Sequence, residues 1–277
     1  MAGFAVMTVN VNGVRAAARK GGIAQIGQHI RAGALQVVCL QEVRATTKQL
    51  EEVLEEQGLA DLYWAHDDST RLGHSGVALL SAVPVRDVQY GLGPSVLDGT
   101  GRWVQATVDT AAGPLTVASV YVFAGDVDKP VQQDKYRFLA AMSEWFTAAC
   151  RTATAGGGQA LVCGDLNVAH TEADIKNWRG NVGKAGFHVD ERAYLTSWFE
   201  DIGVVDVGRA HAGAVEGPYT WWSMRGQAFD TDTGWRIDYQ VATPELATSV
   251  VDVRIDRAPS YSQRWSDHAP LTVVYDL

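Results

Sequence analysis

The chain has 277 residues, of which only 3 are cysteines and 8 are prolines. A small, odd number of thiols excludes a secreted scaffold held by disulfides. Cys39 and Cys163 lie in apolar runs, where reduced thiols are inert, and Cys150 ends a helical pattern with no base nearby, so none is assigned a role. No stretch approaches the ~20 continuous apolar residues of a membrane span. The N-terminal "MAGFAVMTVNVNG" lacks a basic leader and a small-residue cleavage site, so a cytoplasmic protein with no membrane partner is expected. Basic charge is also scarce. Lys and Arg number 23 against 32 Asp and Glu, a net charge of −9, which argues against a general polyanion binder but leaves room for a local basic face. Walker A, dinucleotide and G-x-S-x-G signatures are missing, which leaves nucleotide-dependent and serine-type acyl chemistry without support. Repeats and long linkers are missing too. "TATAGGGQA" at 152–160 is too short for a tether, so one domain over 1–277 is expected.

Hydrophobic residues make up 47% of the chain, ample for a large core. "FAVMTVNV", "LQVVCLQ", "GVALLSAV", "RWVQATVDT", "LTVASVYVF", "QALVCGD", "WRIDYQVAT" and "APLTVVYD" are short, rich in β-branched residues and bounded by Gly, Pro or Asp, as buried strands are. Helices are expected over 22–33, 46–57, 130–150 and 190–202. In the third of these, Tyr136, Leu139, Met142, Phe146 and Ala149 form an apolar stripe. So many strands with fewer helices predict an α/β protein of two packed β-sheets covered by helices.

Polar residues gather where those strands end. Asn10, Glu42, Tyr121, and Asp165 with Asn167 each follow an apolar run, Asp267 and His268 precede one, and Asp238 interrupts "WRIDYQV". Ligands of α/β sheets bind at the carboxyl ends of strands, so these residues can meet at one rim. Each also has a bland reading. Asn10 with Asn12 can form an Asx turn, Glu42 can cap the helix near Thr46, and Asp165 after Gly164 can be a turn residue. Asp238 needs a partner if buried, and His268 is the economical one, because a carboxylate fixes the tautomer of an imidazole. Carboxylate and amide oxygens without thiolates suit Mg²⁺ or Mn²⁺ rather than zinc. A hard cation, a polarised water and a charge-stabilising His together describe phosphodiester hydrolysis. The segment 175–188 carries Lys176, Arg179 and Lys184 with no acid among them, either a solvated loop or a set of phosphate contacts.

"VNVNGVRA" (9–16), "LQE" (40–42), "GRWVQA" (101–106), "VYV" (120–122), "GDLNVAH" (164–170), "YTWWSMR" (219–225), "GWRIDYQVA" (234–242) and "SDHAP" (266–270) resemble, in order, the motifs of exonuclease III-type apurinic/apyrimidinic endonucleases of the endonuclease/exonuclease/phosphatase superfamily. The resemblance implies a four-layer sandwich of two packed β-sheets flanked by helices. It also implies a monomeric, Mg²⁺-dependent DNA repair enzyme acting on double-stranded DNA with abasic sites or damaged 3′ ends. By that resemblance Glu42 is the principal metal ligand, with Asn10 and Asp267 close to the metal. Tyr121 and Asn167 contact the scissile phosphate, Asp165 handles a proton, and the Asp238–His268 pair stabilises the transition state or activates water. Asp165 and His268 both remain open as general base. Trp221 and Trp235 line the abasic pocket, and Arg102, Lys176, Arg179 and Lys184 are expected at the DNA. Core packing competes as a role for Trp221 and Trp222. The chain departs from the pattern at Val9, Phe123, Met224 and "AGDVDKPVQ", which bears on substrate preference, because the loop after Tyr121 lies where DNA would pass. Two other readings stand beside the nuclease: a related phosphoesterase acting on a non-nucleic-acid ester, and a DNA-binding relative without activity.

Overall fold

In β2 (Val37–Gln41) every side chain is buried, yet alternate residues meet different layers. Val37 and Cys39 face a core between two sheets, whereas Val38 and Leu40 face helices. A strand covered on both faces reads as a continuous apolar run, which is why the central strands were visible in the sequence. The structure, a computed structural model, describes residues 3–93 and 97–277. One sheet runs β11 (Val250–Ile255), β12 (Leu271–Tyr275), β1 (Phe4–Asn10), β2, β4 (Val77–Ser81) and β3 (Tyr63–Asp67). The other runs β5 (Val85–Tyr90), β6 (Trp103–Thr110), β7 (Gly113–Tyr121), β8 (Gln159–Asp165), β10 (Asp238–Ala242) and β9 (Val205–Asp206). Val6, Val37, Cys39 and Leu79 from the first pack against Val104, Val117, Leu161 and Cys163 from the second.

Helices complete the four layers. The α1 (Val14–Arg19), α2 (Gly22–Arg31) and α3 (Thr47–Glu56) helices cover the outer face of the first sheet, and α4 (Val131–Thr154) and α5 (Val189–Ser197) cover that of the second. Two short helices, α6 (Val207–Ala212) and α7 (Pro244–Thr248), flank β9 and β10. Thr46 caps α3 itself, in a reciprocal pair with Gln49, so Glu42 is not the cap of that helix.

The structure differs from the sequence reading in several places, and the short helices α1, α6 and α7 lie outside the expected elements. Strands β3, β5, β9 and β11 were not predicted. β3, β5, β9 and β11 are sheet edges, and β5 and β11 leave most side chains partly or fully exposed, so no apolar run marks them. The strand expected over 235–243 begins only at Asp238. Helix α4 continues to Thr154 and shortens the glycine-rich connection. Its buried stripe is Gln132, Lys135, Phe138, Leu139, Met142 and Phe146, with Tyr136 and Ala149 only partly covered.

Candidate active site

β1 and β2 run parallel, as do β7 and β8, so their carboxyl ends share one rim of the sandwich. Asn10 ends β1, Glu42 follows β2, Tyr121 ends β7 and Asp165 ends β8. Because β10 is antiparallel to β8, its first residue, Asp238, stands directly opposite Asp165. Asp267 and His268 precede β12, which runs antiparallel to β1 and so starts at the same rim. Gly164 is required here, because φ is +155° and a Cβ would collide with the Val120 carbonyl of β7.

Asn10 ties the cluster together. Its Nδ2 donates to Glu42 Oε1 at 3.0 Å and to Asp165 Oδ2 at 2.9 Å, bridging the sheets. Its Oδ1 accepts the Asn12 N–H at 3.0 Å, so the bland Asx-turn reading holds alongside the functional one. Glu42 is also paired with Arg44. Glu42 and Asn167 adopt left-handed backbone conformations, φ 48° and 50°, of a kind that costs about 1–3 kcal/mol and gathers at functional sites. The Tyr121 phenol is pushed up by burial and by the neighbouring Glu42 and Asp165 carboxylates. Arg102 donates to the Tyr121 carbonyl at 3.0 Å and lies 3.7 Å over the Phe123 ring, mostly buried, bracing this strand end from behind.

His268 Nδ1 lies 2.8 Å from Asp238 Oδ2, and Nε2 lies 3.7 Å from Asp165 Oδ2. Burial alone would lower the imidazole pKa. The Asp238 charge and hydrogen bond, helped by Asp165 and Asp267, raise it instead to about 10. Asp165 is pushed up to about 7, first by burial and further by Asp238 and Glu42, against the opposing pull of His268 and Asn10. Burial opposes ionisation of Asp267, but His268 and hydrogen bonds from Trp221 Nε1 (3.1 Å) and Asn12 Nδ2 (2.7 Å) hold its carboxyl low. Donor atoms of Asp165, Asp238 and His268 lie within 4.8 Å of one another, a spacing that can hold a metal ion. Asp238 Oδ2 is engaged by His268 and Asp165 Oδ2 by Asn10, while Asp238 Oδ1 has no hydrogen-bond partner among the described residues. Glu42 Oε1 accepts from Asn10 Nδ2 and Asp267 Oδ1 accepts from Asn12 Nδ2, so both carboxylates lie against the Asn10–Asn12 turn.

Trp221 and Trp235 meet edge-to-face at 5.9 Å, both half-buried, whereas Trp222 is core, packed on Phe229. Trp235 rests on Gly186, where a Cβ would come 2.7 Å from its ring. Ile175 bridges to Trp235, which brings the basic segment beside this aromatic wall. Within it, Lys176 is paired with Glu216 at 2.7 Å, Arg179 lies over Trp178, and Lys184 is exposed. His170, next to the cluster in sequence, turns away to Thr196. Asn12, Arg44 and Lys135 were missed. Asn12 was legible in "NVN", but nothing local marks Arg44, and Lys135 was hidden inside an apolar helical stripe.

Relatives share this arrangement's frame. The chain is 30% identical over 270 residues to the exodeoxyribonuclease of Bacillus subtilis (strain 168), covering 97% of this chain and 98% of that protein. It is 29% identical over 275 residues to the DNA-(apurinic or apyrimidinic site) endonuclease of Dictyostelium discoideum, covering 98% and 70%. An AP endonuclease from Archaeoglobus fulgidus superposes with a TM-score of 0.82 at 27% identity, covering 99% of this chain and 100% of that one. The 3′ phosphatase NExo from Neisseria, solved with a product DNA hairpin, superposes with a TM-score of 0.81 at 26% identity, covering 99% and 100%. The family profile matched by residues 7–268 spans every strand end that contributes to the rim, and the chain is a member of the endonuclease/exonuclease/phosphatase family.

Proposed function

We propose that this protein is a Mg²⁺-dependent DNA repair nuclease that hydrolyses phosphodiester bonds, incising 5′ to abasic sites and trimming 3′ ends as a 3′–5′ exonuclease and phosphodiesterase. The observation that carries this reading is the buried Asp165–His268–Asp238 array joined through Asn10 to Glu42 at one rim. The relatives named above, an exodeoxyribonuclease, AP endonucleases and a 3′ phosphatase, support it.

Glu42, Asp267 and Asn10 are the residues that would hold the metal, since hard oxygen donors suit Mg²⁺ and Mn²⁺. When bound, the cation neutralises charge on a phosphate oxygen. The protein groups do the rest. Asp165, near 7, accepts a proton from the attacking water. Asp238 holds His268 toward its protonated form, and the imidazole Nε2–H, facing Asp165, stabilises charge developing on phosphorus-bound oxygen. Asp238 keeps the Nδ1 proton in place. Tyr121 and Asn167 orient the phosphate, and Trp221 with Trp235 forms the wall for a base-less sugar turned out of the helix. Arg179 and Lys184 flank that wall, and Arg102 acts through Tyr121. Free buried Cys39 and Cys163 support a cytoplasmic setting.

A labelled duplex carrying one abasic site, compared with the intact duplex in Mg²⁺ and in chelator, tests the reading. Mg²⁺-dependent incision at the abasic site is expected. Hydrolysis of small phosphate esters with both duplexes left intact would overturn it.

A further inference from the structure

Lys135 and Glu191 are fully buried, with Nζ 2.9 Å from Oε1, and the chemistry above uses neither. Lys135 interrupts the apolar stripe of α4, between Gln132 and Phe138. Burying such a pair costs more desolvation than the attraction alone returns, so the remaining hydrogen bonds decide why it is there. Lys135 Nζ also donates to the carbonyls of Ala124 (3.2 Å) and Asn167 (2.9 Å). Glu191 accepts from Gln132 Nε2 (2.7 Å) through Oε1 and from the Gly186 N–H (2.6 Å) through Oε2.

Apart from Gln132 of α4, these partners belong to three loops, the ones that hold Ala124, Asn167 and Gly186. Ala124 lies in the loop after Tyr121. Asn167 has the left-handed backbone, φ 50°, and its side-chain amide donates to the Val122 carbonyl of that same loop at 2.9 Å. Gly186 is the residue on which Trp235 rests. We propose that the Lys135–Glu191 pair is a positioning device, with Lys135 setting Asn167 against the loop after Tyr121 and Glu191 setting Gly186 under Trp235. The inference rests on the reading of Asn167 as a phosphate contact. An ammonium is suited to the task because its three N–H donors pull three acceptors from separate segments to one point.

The test compares Lys135→Met, Glu191→Gln, the double variant Lys135→Met/Glu191→Gln, and Asn167→Ala, each by thermal melting and by abasic-duplex cleavage. Lys135→Met should melt at lower temperature, because it strands a buried carboxylate, and the double variant should regain most of that loss. Activity should not recover with it. In the double variant kcat should stay down by about 10-fold to 10²-fold, since a displacement of about 1 Å can cost that much. Because the pair acts through Asn167, adding Asn167→Ala to the double variant should make it scarcely worse than Asn167→Ala alone. Glu191→Gln, which keeps an oxygen for Gly186, should fold and show a smaller loss. A double variant that folds and cleaves normally, or losses that add fully to those of Asn167→Ala, would reduce the pair to a structural brace. If Asn167→Ala itself cleaves at the full rate, the site reading fails instead.

Discussion

Asp238 and Asp165 stand directly opposite each other in the antiparallel pairing of β10 and β8, one opening its strand and the other closing its own. His268 spans the two carboxylates, 2.8 Å from one and 3.7 Å from the other, where a protonated imidazole offsets the charge of both in a buried place. A His/carboxylate unit of this kind acts as one device, so its losses should not add. His268→Asn should lower kcat by roughly 10²–10⁴-fold, Asp238→Asn nearly as much, and the double variant scarcely more, with abasic-DNA affinity little changed. Steady-state kinetics with a binding assay in chelator measures this. An Asp238→Asn enzyme with normal kcat would leave Asp238 as a buried structural acid only.

The same three groups set the pH response. Activity should rise as Asp165 ionises near pH 7 and fall as His268 loses its proton near pH 10, giving a bell-shaped kcat profile. Stability moves one way only, because both groups bind protons more tightly folded than unfolded. The contribution of His268 is complete below its unfolded value of 6.5 and disappears as pH rises through about 10. Ionising Asp165 likewise erodes stability between 3.8 and about 7. Asp238→Asn should move the alkaline limb of the profile to lower pH. An unmoved limb would assign that limb to another group.

How much of this was legible depends on how each residue is held. The rim residues stand after apolar runs because their strands are buried on both faces, and that contrast is written in "LQVVCLQE" and "ALVCGD". Asp238 reads in the sequence as an acid within an apolar run, and the structure differs in where the strand begins. Asp238 opens its strand rather than interrupting it, since Trp235 and Ile237 bond instead to Trp221, Ile175 and Thr220 outside the sheet. Exposed edges such as β5 and β11 left no apolar signature, and Lys135 had no local one either. Its partners come from residues 11, 32 and 56 positions away, so only the fold brings them together.

Glu42→Gln tests the metal set. Glu42 keeps its backbone and its neutral hydrogen bonds in that variant, so melting without metal should change little, while the rise in Tm on adding Mg²⁺ should disappear and cleavage should be lost. An unchanged Mg²⁺ shift would place the cation elsewhere, with the Asp165, Asp238 and His268 cluster the first alternative.

A protein of net charge −9 should bind DNA through few contacts. Each phosphate neutralised contributes about −0.9 to the log–log salt slope. Arg179→Ala and Lys184→Ala should each make the slope shallower by about that amount. Lys176→Ala should change it less, because Glu216 already occupies its ammonium. Slopes unchanged from that of the unsubstituted protein in all three variants would return the segment to a solvated loop.

The three tryptophans separate wall from core. Trp222 is buried against Phe229, so Trp222→Ala should cost about 3–5 kcal/mol of stability, seen in denaturant melts, whatever the substrate. Trp235 is half-buried and rests on a glycine, so Trp235→Ala should cost much less stability. Its effect should fall on substrate choice instead, raising KM for the abasic duplex more than for a duplex with a plain 3′ end. Trp221 touches both sides, because its indole N–H donates to Asp267 at 3.1 Å while its ring meets Trp235. Trp221→Phe keeps the ring and removes the donor, so it should spare abasic selectivity while weakening the Mg²⁺-induced rise in Tm. Equal loss on both substrates in Trp235→Ala would make that residue packing rather than pocket wall.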